Sequence, residues 1–231
     1  MNRYLKFDPW CIIEEGFEPE NQRASESIFS LGNGRMGQRA NFEEMYTGDS
    51  LSGFYIAGIY YPDKTRVGWW KNGYPEYFAK VVNSPNWIGI NILIDNEMLD
   101  LAKWKIHHFS RTLDMKEGTL ARKFVVASPD NRKIEVDCTR FLSMDQPDLG
   151  VIKYTLKNLH SDVQVYLVPY LNGDIQNEDA NFNEKFWDIT FTHASQGSAY
   201  LESVTRKTGF VAGFAINFEI FINDKILNIK P

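Results

Sequence analysis

At 231 residues, the chain exceeds the ~100–200 usual for one domain, so one large domain or two small ones is expected. Lys+Arg 25 against Asp+Glu 30 leaves a net charge of −5, with no basic excess to displace counterions from phosphate, which excludes nucleic acid as a partner. Hydrophobic residues at 43% and charged ones at 24% describe a folded chain, and no run nears the ~18 apolar residues of a membrane span.

In chain order, residues 1–16 alternate charged, aromatic and apolar types without an apolar signal segment, so a cytoplasmic protein without a membrane partner is expected. Tyr60-Tyr61, Trp69-Trp70, Tyr74, Tyr77 and Phe78 then crowd a segment rich in Gly and Pro, which reads as a loop. Leu120, Phe124 and Val126 share one face with Arg122. Ile134, Val136 and Cys138 alternate with Glu135, Asp137 and Thr139, as Ile152, Tyr154 and Leu156 do with Lys153 and Thr155. Asn177–Trp187 is the best helix candidate, and Phe214, Ile216, Phe218, Ile220 and Ile222 form one long stripe before the chain stops at Pro231. That ending fits a natural terminus and a cut at the edge of a β-domain equally.

Turn chemistry separates these runs: Ser128-Pro129-Asp130-Asn131, Asn172-Gly173, Asn72-Gly73 and Asn223-Asp224 preset φ or tolerate positive φ. Short period-two segments at roughly 8–12-residue spacing predict an antiparallel sandwich or barrel. The aromatic share of 14% favours the same pleated structure.

Gly32-Asn33-Gly34-Arg35-Met36-Gly37 matches G-x-G-x-x-G literally. A dinucleotide site needs that motif between a strand and a helix. The residues that follow carry no helical stripe, so a strand–turn–strand connection capped by Asn33 is the expectation. Glu26-Ser27-Ile28-Phe29-Ser30-Leu31 before this turn, Ser84-Pro85-Asn86-Trp87, Arg111-Thr112-Leu113-Asp114-Met115-Lys116-Glu117-Gly118 and Leu171-Asn172-Gly173-Asp174-Ile175-Gln176-Asn177 stand in the order found in family 65 glycoside hydrolases, which the chain resembles. Arg35 stands where many members have Tyr, and residues 60–78 form an aromatic insertion. The glycine stretch alone is also similar to that of family 95 fucosidases.

The resemblance implies that residues 1–231 are a single all-β N-terminal domain, a large antiparallel β-sandwich with little helix. It implies a downstream (α/α) barrel that holds the catalytic Glu and the phosphate site, so that no residue here is catalytic. The parent enzyme would phosphorolyse or hydrolyse an α-glucosidic disaccharide with inversion. Inorganic phosphate would be the co-substrate of a phosphorylase, and no cofactor is needed. This domain would shape one wall of the pocket and support a homodimer. The alternatives are a stand-alone carbohydrate-binding module and the N-terminal domain of a family 95-type fucosidase.

The adjacent pairs Glu14-Glu15 and Glu43-Glu44 are expected to be solvated rather than catalytic. Neither His107 and His108 nor His160 and His193 has ligand spacing to other donors, so no metal site is expected. Cys11 and Cys138 lie far apart and form no disulfide framework. Trp69 and Trp70 offer rings either to a sugar or to interdomain packing. Asn33, Arg35 and Arg39 are polar groups beside a tight turn. The arginines either reach a sugar or an interdomain carboxylate, or order the turn by pairing Arg39 with Glu26 or Glu43.

Overall fold

The computed structural model describes residues 4–66, 73–159 and 162–227. It is 50% strand and 6% helix, which makes the chain all-β. In chain order the strands are β1 (Leu5–Phe7), β2 (Cys11–Glu15), β3 (Leu31–Gly32), β4 (Met36–Gln38), β5 (Phe54–Ile56), β6 (Tyr60–Lys64) and β7 (Tyr77–Val81). There follow β8 (Ile90–Ile94), β9 (Glu97–Met98), β10 (Lys105–Asp114), β11 (Thr119–Ala127), β12 (Lys133–Leu142), β13 (Gly150–Asn158) and β14 (Val165–Pro169). The last are β15 (Trp187–Ser195), β16 (Ser198–Thr205), β17 (Val211–Asn217), β18 (Phe221–Ile222) and β19 (Lys225–Ile226). The helix α1 covers Gln22–Ile28. It has no apolar stripe; its buried residues are Gln22, Ser25 and Glu26, so hydrophobic periodicity could not announce it.

The chain divides into two compact units, Met1–Ala57 with Ile90–Pro169, and Gly58–Gly89 with Tyr170–Pro231. In the first, an antiparallel sheet runs β1-β2-β10-β11-β12-β13, and a second runs β14-β8-β9. Their facing side chains form one core: Ile92, Ile94 and Leu99 meet Phe109, Phe124, Val126, Ile134 and Val136. This is a sandwich built from the alternation in the sequence, each fully buried Ile, Val or Phe contributing about 1.5–3 kcal/mol. The β10–β11 turn is closed by Asp114, which accepts from the Lys116 and Glu117 amides at 2.9 and 3.0 Å. The β11–β12 turn places Asn131 at φ 62°, as its turn residues predict.

The second unit carries the sheet β15-β16-β17 and the hairpins β6-β7 and β18-β19. Its core is Tyr61, Val82, Phe186 and Trp187, with the Tyr61 and Phe186 rings stacked at 4.1 Å. Asn86 and Asn172 exchange backbone hydrogen bonds at 2.9 Å in both directions, which brings the Ser84–Trp87 and Leu171–Asn177 landmarks together.

Three expectations are corrected. Residues 177–187 form no α-helix: only Asn181–Asn183 make a 3₁₀ turn, across Phe182 at φ 61°. The Phe214–Ile222 stripe breaks after Asn217, and the next strand holds only Phe221–Ile222. The aromatic segment at 60–78 is a hairpin rather than a loop as far as Tyr60–Lys64 and Tyr77–Val81 extend. Among the described residues no helix is long and apolar enough to cross a membrane.

Candidate functional site

The glycine motif is the β3–β4 hairpin, with Leu31 opposite Gln38 and Gly32 opposite Gly37. Gly34 sits at φ +84°, a left-handed conformation that L side chains rarely adopt, although the space beside it is open. Asn33 closes the turn in both directions. Its amide donates to the Met36 carbonyl at 3.1 Å, and its Oδ1 accepts from the Arg35 and Met36 amides at 3.1 and 2.8 Å. Its Nδ2 donates to the carbonyls of Ser143 (2.7 Å) and Pro147 (2.9 Å), in the loop after β12. Arg35 completes the junction by donating from Nε to Asp148 Oδ1 at 3.0 Å. Two segments more than a hundred residues apart thus form one platform, beside which Met144 is 78% exposed.

Arg39 has a different task. Its Nε donates to the Leu51 carbonyl (2.9 Å), Nη1 to Ser27 Oγ (2.6 Å) and Nη2 to the Arg23 carbonyl (2.9 Å). Its Nη2 also lies 3.8 Å from Glu26 Oε2. It therefore ties α1 to the segment before β5. Gly53 leaves it room, since a Cβ there would stand 2.2 Å from Arg39 Cδ.

The interior of the first unit holds an ionic cluster where solvated glutamates are expected. Glu14, Glu43 and Glu44 are buried, not solvated; only Glu15 is exposed. Arg122 holds Glu44 with both oxygens, at 2.6 and 2.8 Å, and also donates to Glu43. Arg140 donates to Glu43 Oε1 at 2.6 Å and to the Asn41 carbonyl at 2.8 Å. Arg111 donates to Gln22 Oε1 at 2.7 Å, with its Nε 3.3 Å from Glu14. Phe29, Phe42 and Phe109 surround the Arg111 guanidinium at 5.1–5.5 Å. Burial alone raises the Glu43 carboxyl, but Arg122 and Arg140 outweigh it and hold it down at about 2. Burial lowers Arg111 to about 10 and raises Glu14, because that pair compensates burial only in part. Glu43, ionised at neutral pH and closed off from solvent, has no proton to give as a general acid, and the ion pairs of the cluster fasten β10, β11 and β12 to α1 and to residues 39–44.

Trp69 and Trp70 of the second unit lie outside the described residues, as do Asn72 and, in the first unit, His160. Of the neighbouring rings, Tyr61 is buried and donates to Glu184 Oε1 at 2.6 Å. Tyr60, Tyr74, Tyr77 and Phe78 are 43–51% exposed. Among the described residues no group of three His, Cys, Asp or Glu is placed to hold a metal ion.

Residues 12–230 match the family described as Glycosyl hydrolase family 65, N-terminal domain. The chain belongs to glycosyl hydrolase family 65. Among family 65 relatives, maltose phosphorylase of Bacillus subtilis (strain 168) is 46% identical over 208 residues, which are 90% of this chain and 27% of that protein. The α,α-trehalose phosphorylase of Thermoanaerobacter brockii is 32% identical over 178 residues, 74% of this chain and 22% of that protein. A solved structure named for kojibiose phosphorylase, from the human microbiome, superposes with a TM-score of 0.77 at 30% identity, covering 89% of this chain and 27% of that one. The chain thus spans about a quarter of the length of the relatives it matches. As a family 65 N-terminal domain it carries the platform of Asn33 and Arg35 at its surface and closes the ionic cluster inside.

Proposed function

We propose that this chain is the N-terminal β-sandwich of an inverting disaccharide phosphorylase, and that maltose is the first substrate to test. The identity of 46% to a maltose phosphorylase over 90% of the chain carries this reading. The rest of such a polypeptide would hold the catalytic barrel, where a Glu protonates the glycosidic oxygen and inorganic phosphate attacks the anomeric carbon. The Asn33–Arg35 platform is the surface assigned to meet that barrel and shape one wall of its pocket. The double junction supports this role: Asn33 ties the turn to the loop after β12, which leaves Arg35 presented at the surface beside Asp148. The protein is proposed to act in the cytoplasm as a homodimer, with Cys11 and Cys138 both free thiols.

The test uses the full-length polypeptide, with glucose 1-phosphate release measured from maltose, trehalose and kojibiose in phosphate buffer. Maltose phosphorolysis is expected, with no turnover by residues 1–231 alone. An Arg35→Ala variant is expected to lower kcat/KM while thermal stability stays within about 1 kcal/mol, because its pair with Asp148 is exposed. Turnover by the 231-residue chain, or full activity of the Arg35→Ala enzyme, rejects the corresponding part.

A further inference from the structure

The face of the six-stranded sheet turned away from the core has an organisation that the proposed catalytic role does not use. Register places Glu15, Ser110, Lys123, Asp137 and Thr155 in one row across five strands. His108, Val125, Glu135 and Lys157 form the next row. A cleft of about 570 Å³ opens over Glu15, His107, His108, Ser110, Lys123 and Glu135. A second hollow of about 240 Å³, lined by Glu135, Asp137, Lys153 and Lys157 among others, continues it. Glu135 belongs to both. With strands ~4.8 Å apart, the row from β2 to β13 runs roughly 19 Å, longer than a single sugar ring needs.

A β-bulge between Ile106 and His108 opens the cleft's end, a device that re-aims side chains beside binding sites. There the His107 Nε2 is buried without a hydrogen-bond partner among the described residues, so the protein itself leaves one polar atom unsatisfied. The lining charges balance: Glu15, Glu135 and Asp137 against Lys123, Lys153 and Lys157. Such a trough favours neither an anion nor a cation, and among the described residues no metal-holding group exists. Alternating acceptors and donors around the outward Val125 suit a ligand whose hydroxyls both give and take protons.

We propose that this face is a binding trough for a neutral gluco-oligosaccharide, separate from the Asn33–Arg35 platform. The trough rests on the register, the bulge and the charge balance; only the choice of glucose over another sugar rests on the family reading.

The test is an amide chemical-shift titration of the uniformly labelled 231-residue chain with maltotetraose, and with xylotetraose in parallel. Saturable shifts at Ser110, Lys123, Val125 and Asp137 are expected with maltotetraose. Lys123→Ala and Asp137→Asn are each expected to weaken binding about tenfold, the loss of one charge-assisted hydrogen bond. Both side chains point outward, and an unchanged far-UV spectrum verifies folding; Lys123→Gln is a second, shape-conserving variant. Absence of saturation at millimolar sugar overturns the trough. Shifts confined to the β6–β7 hairpin overturn it too, moving sugar recognition to Tyr60 and Tyr77. Equal response to xylotetraose overturns the glucose assignment and leaves the trough and the catalytic proposal standing, whereas an inactive full-length enzyme with intact trough binding rejects only the latter.

Discussion

Glu43→Gln removes the charge at the centre of the ionic cluster while keeping the side chain's shape. In the folded chain Arg122 and Arg140 hold this carboxyl at about 2, against 4.5 for the free group. At about 1.4 kcal/mol per pKa unit, the two arginines therefore contribute roughly 3 kcal/mol net of burial to the ionised form. The neutral amide forfeits that and turns an N–H towards guanidinium donors. A loss of about 3 kcal/mol lowers Tm by about 10 °C in a chain of this size. The pH dependence is the sharper test. A carboxyl whose folded pKa lies below its unfolded value stabilises above the unfolded pKa, near 4.5, and loses that contribution as pH falls towards 2. Glu14, raised by burial, acts in the opposite sense, but identically in both proteins. Calorimetric scans of wild type and Glu43→Gln from pH 7 to pH 2 isolate the Glu43 contribution in their difference. The gap in stability is expected to close between pH 4.5 and 2. A variant within 0.5 kcal/mol of wild type at pH 7, on the scale of an ordinary surface substitution, or a gap that stays constant in acid, refutes the assignment.

Further outcomes follow from single positions. Gly34→Ala forces a Cβ into the left-handed region at φ +84° and is expected to cost about 1–2 kcal/mol, read as a lower urea midpoint at unchanged m-value; no change would mean that the β3–β4 turn rearranges freely. Cys138 is buried and its thiol is raised well above 9.0, chiefly by burial, whereas Cys11 is half-buried. Ellman's reagent is therefore expected to modify Cys11 alone in the native chain and both thiols in denaturant; equal native rates would contradict the buried placement.

The buried carboxylates show how far sequence reading reached and why it stopped. Alternation announced β11, β12 and β13 and even placed Arg122 on the face of Leu120, Phe124 and Val126, all of which are buried. An arginine on a core face is a signal, because such a charge demands a partner. Yet Glu43 and Glu44 precede Arg122 by 79 and 78 residues, and neither is in a strand. Adjacent glutamates outside any periodic segment look solvated until folding brings them to the charge that they neutralise. The same asymmetry hid α1, whose buried Gln22 and Glu26 answer Arg111 and the Ser50–Leu51 segment rather than an apolar neighbour. Local pattern reports hydrophobic burial, since alternation is a property of consecutive residues. Ionic burial is a property of pairs, and the pairs here close across the whole first unit. The turn at Asn33 lies between these cases: its glycine chemistry was legible locally, while its grip on Ser143 and Pro147 required the fold. A surface platform made this way depends on the ionic interior that fixes β12, so Glu43→Gln is also expected to loosen the loop at 143–149 before it unfolds the sandwich. Faster amide exchange at Leu149, whose N–H donates to the Gln146 carbonyl at 2.9 Å, is the observable; unchanged protection there would separate platform from cluster.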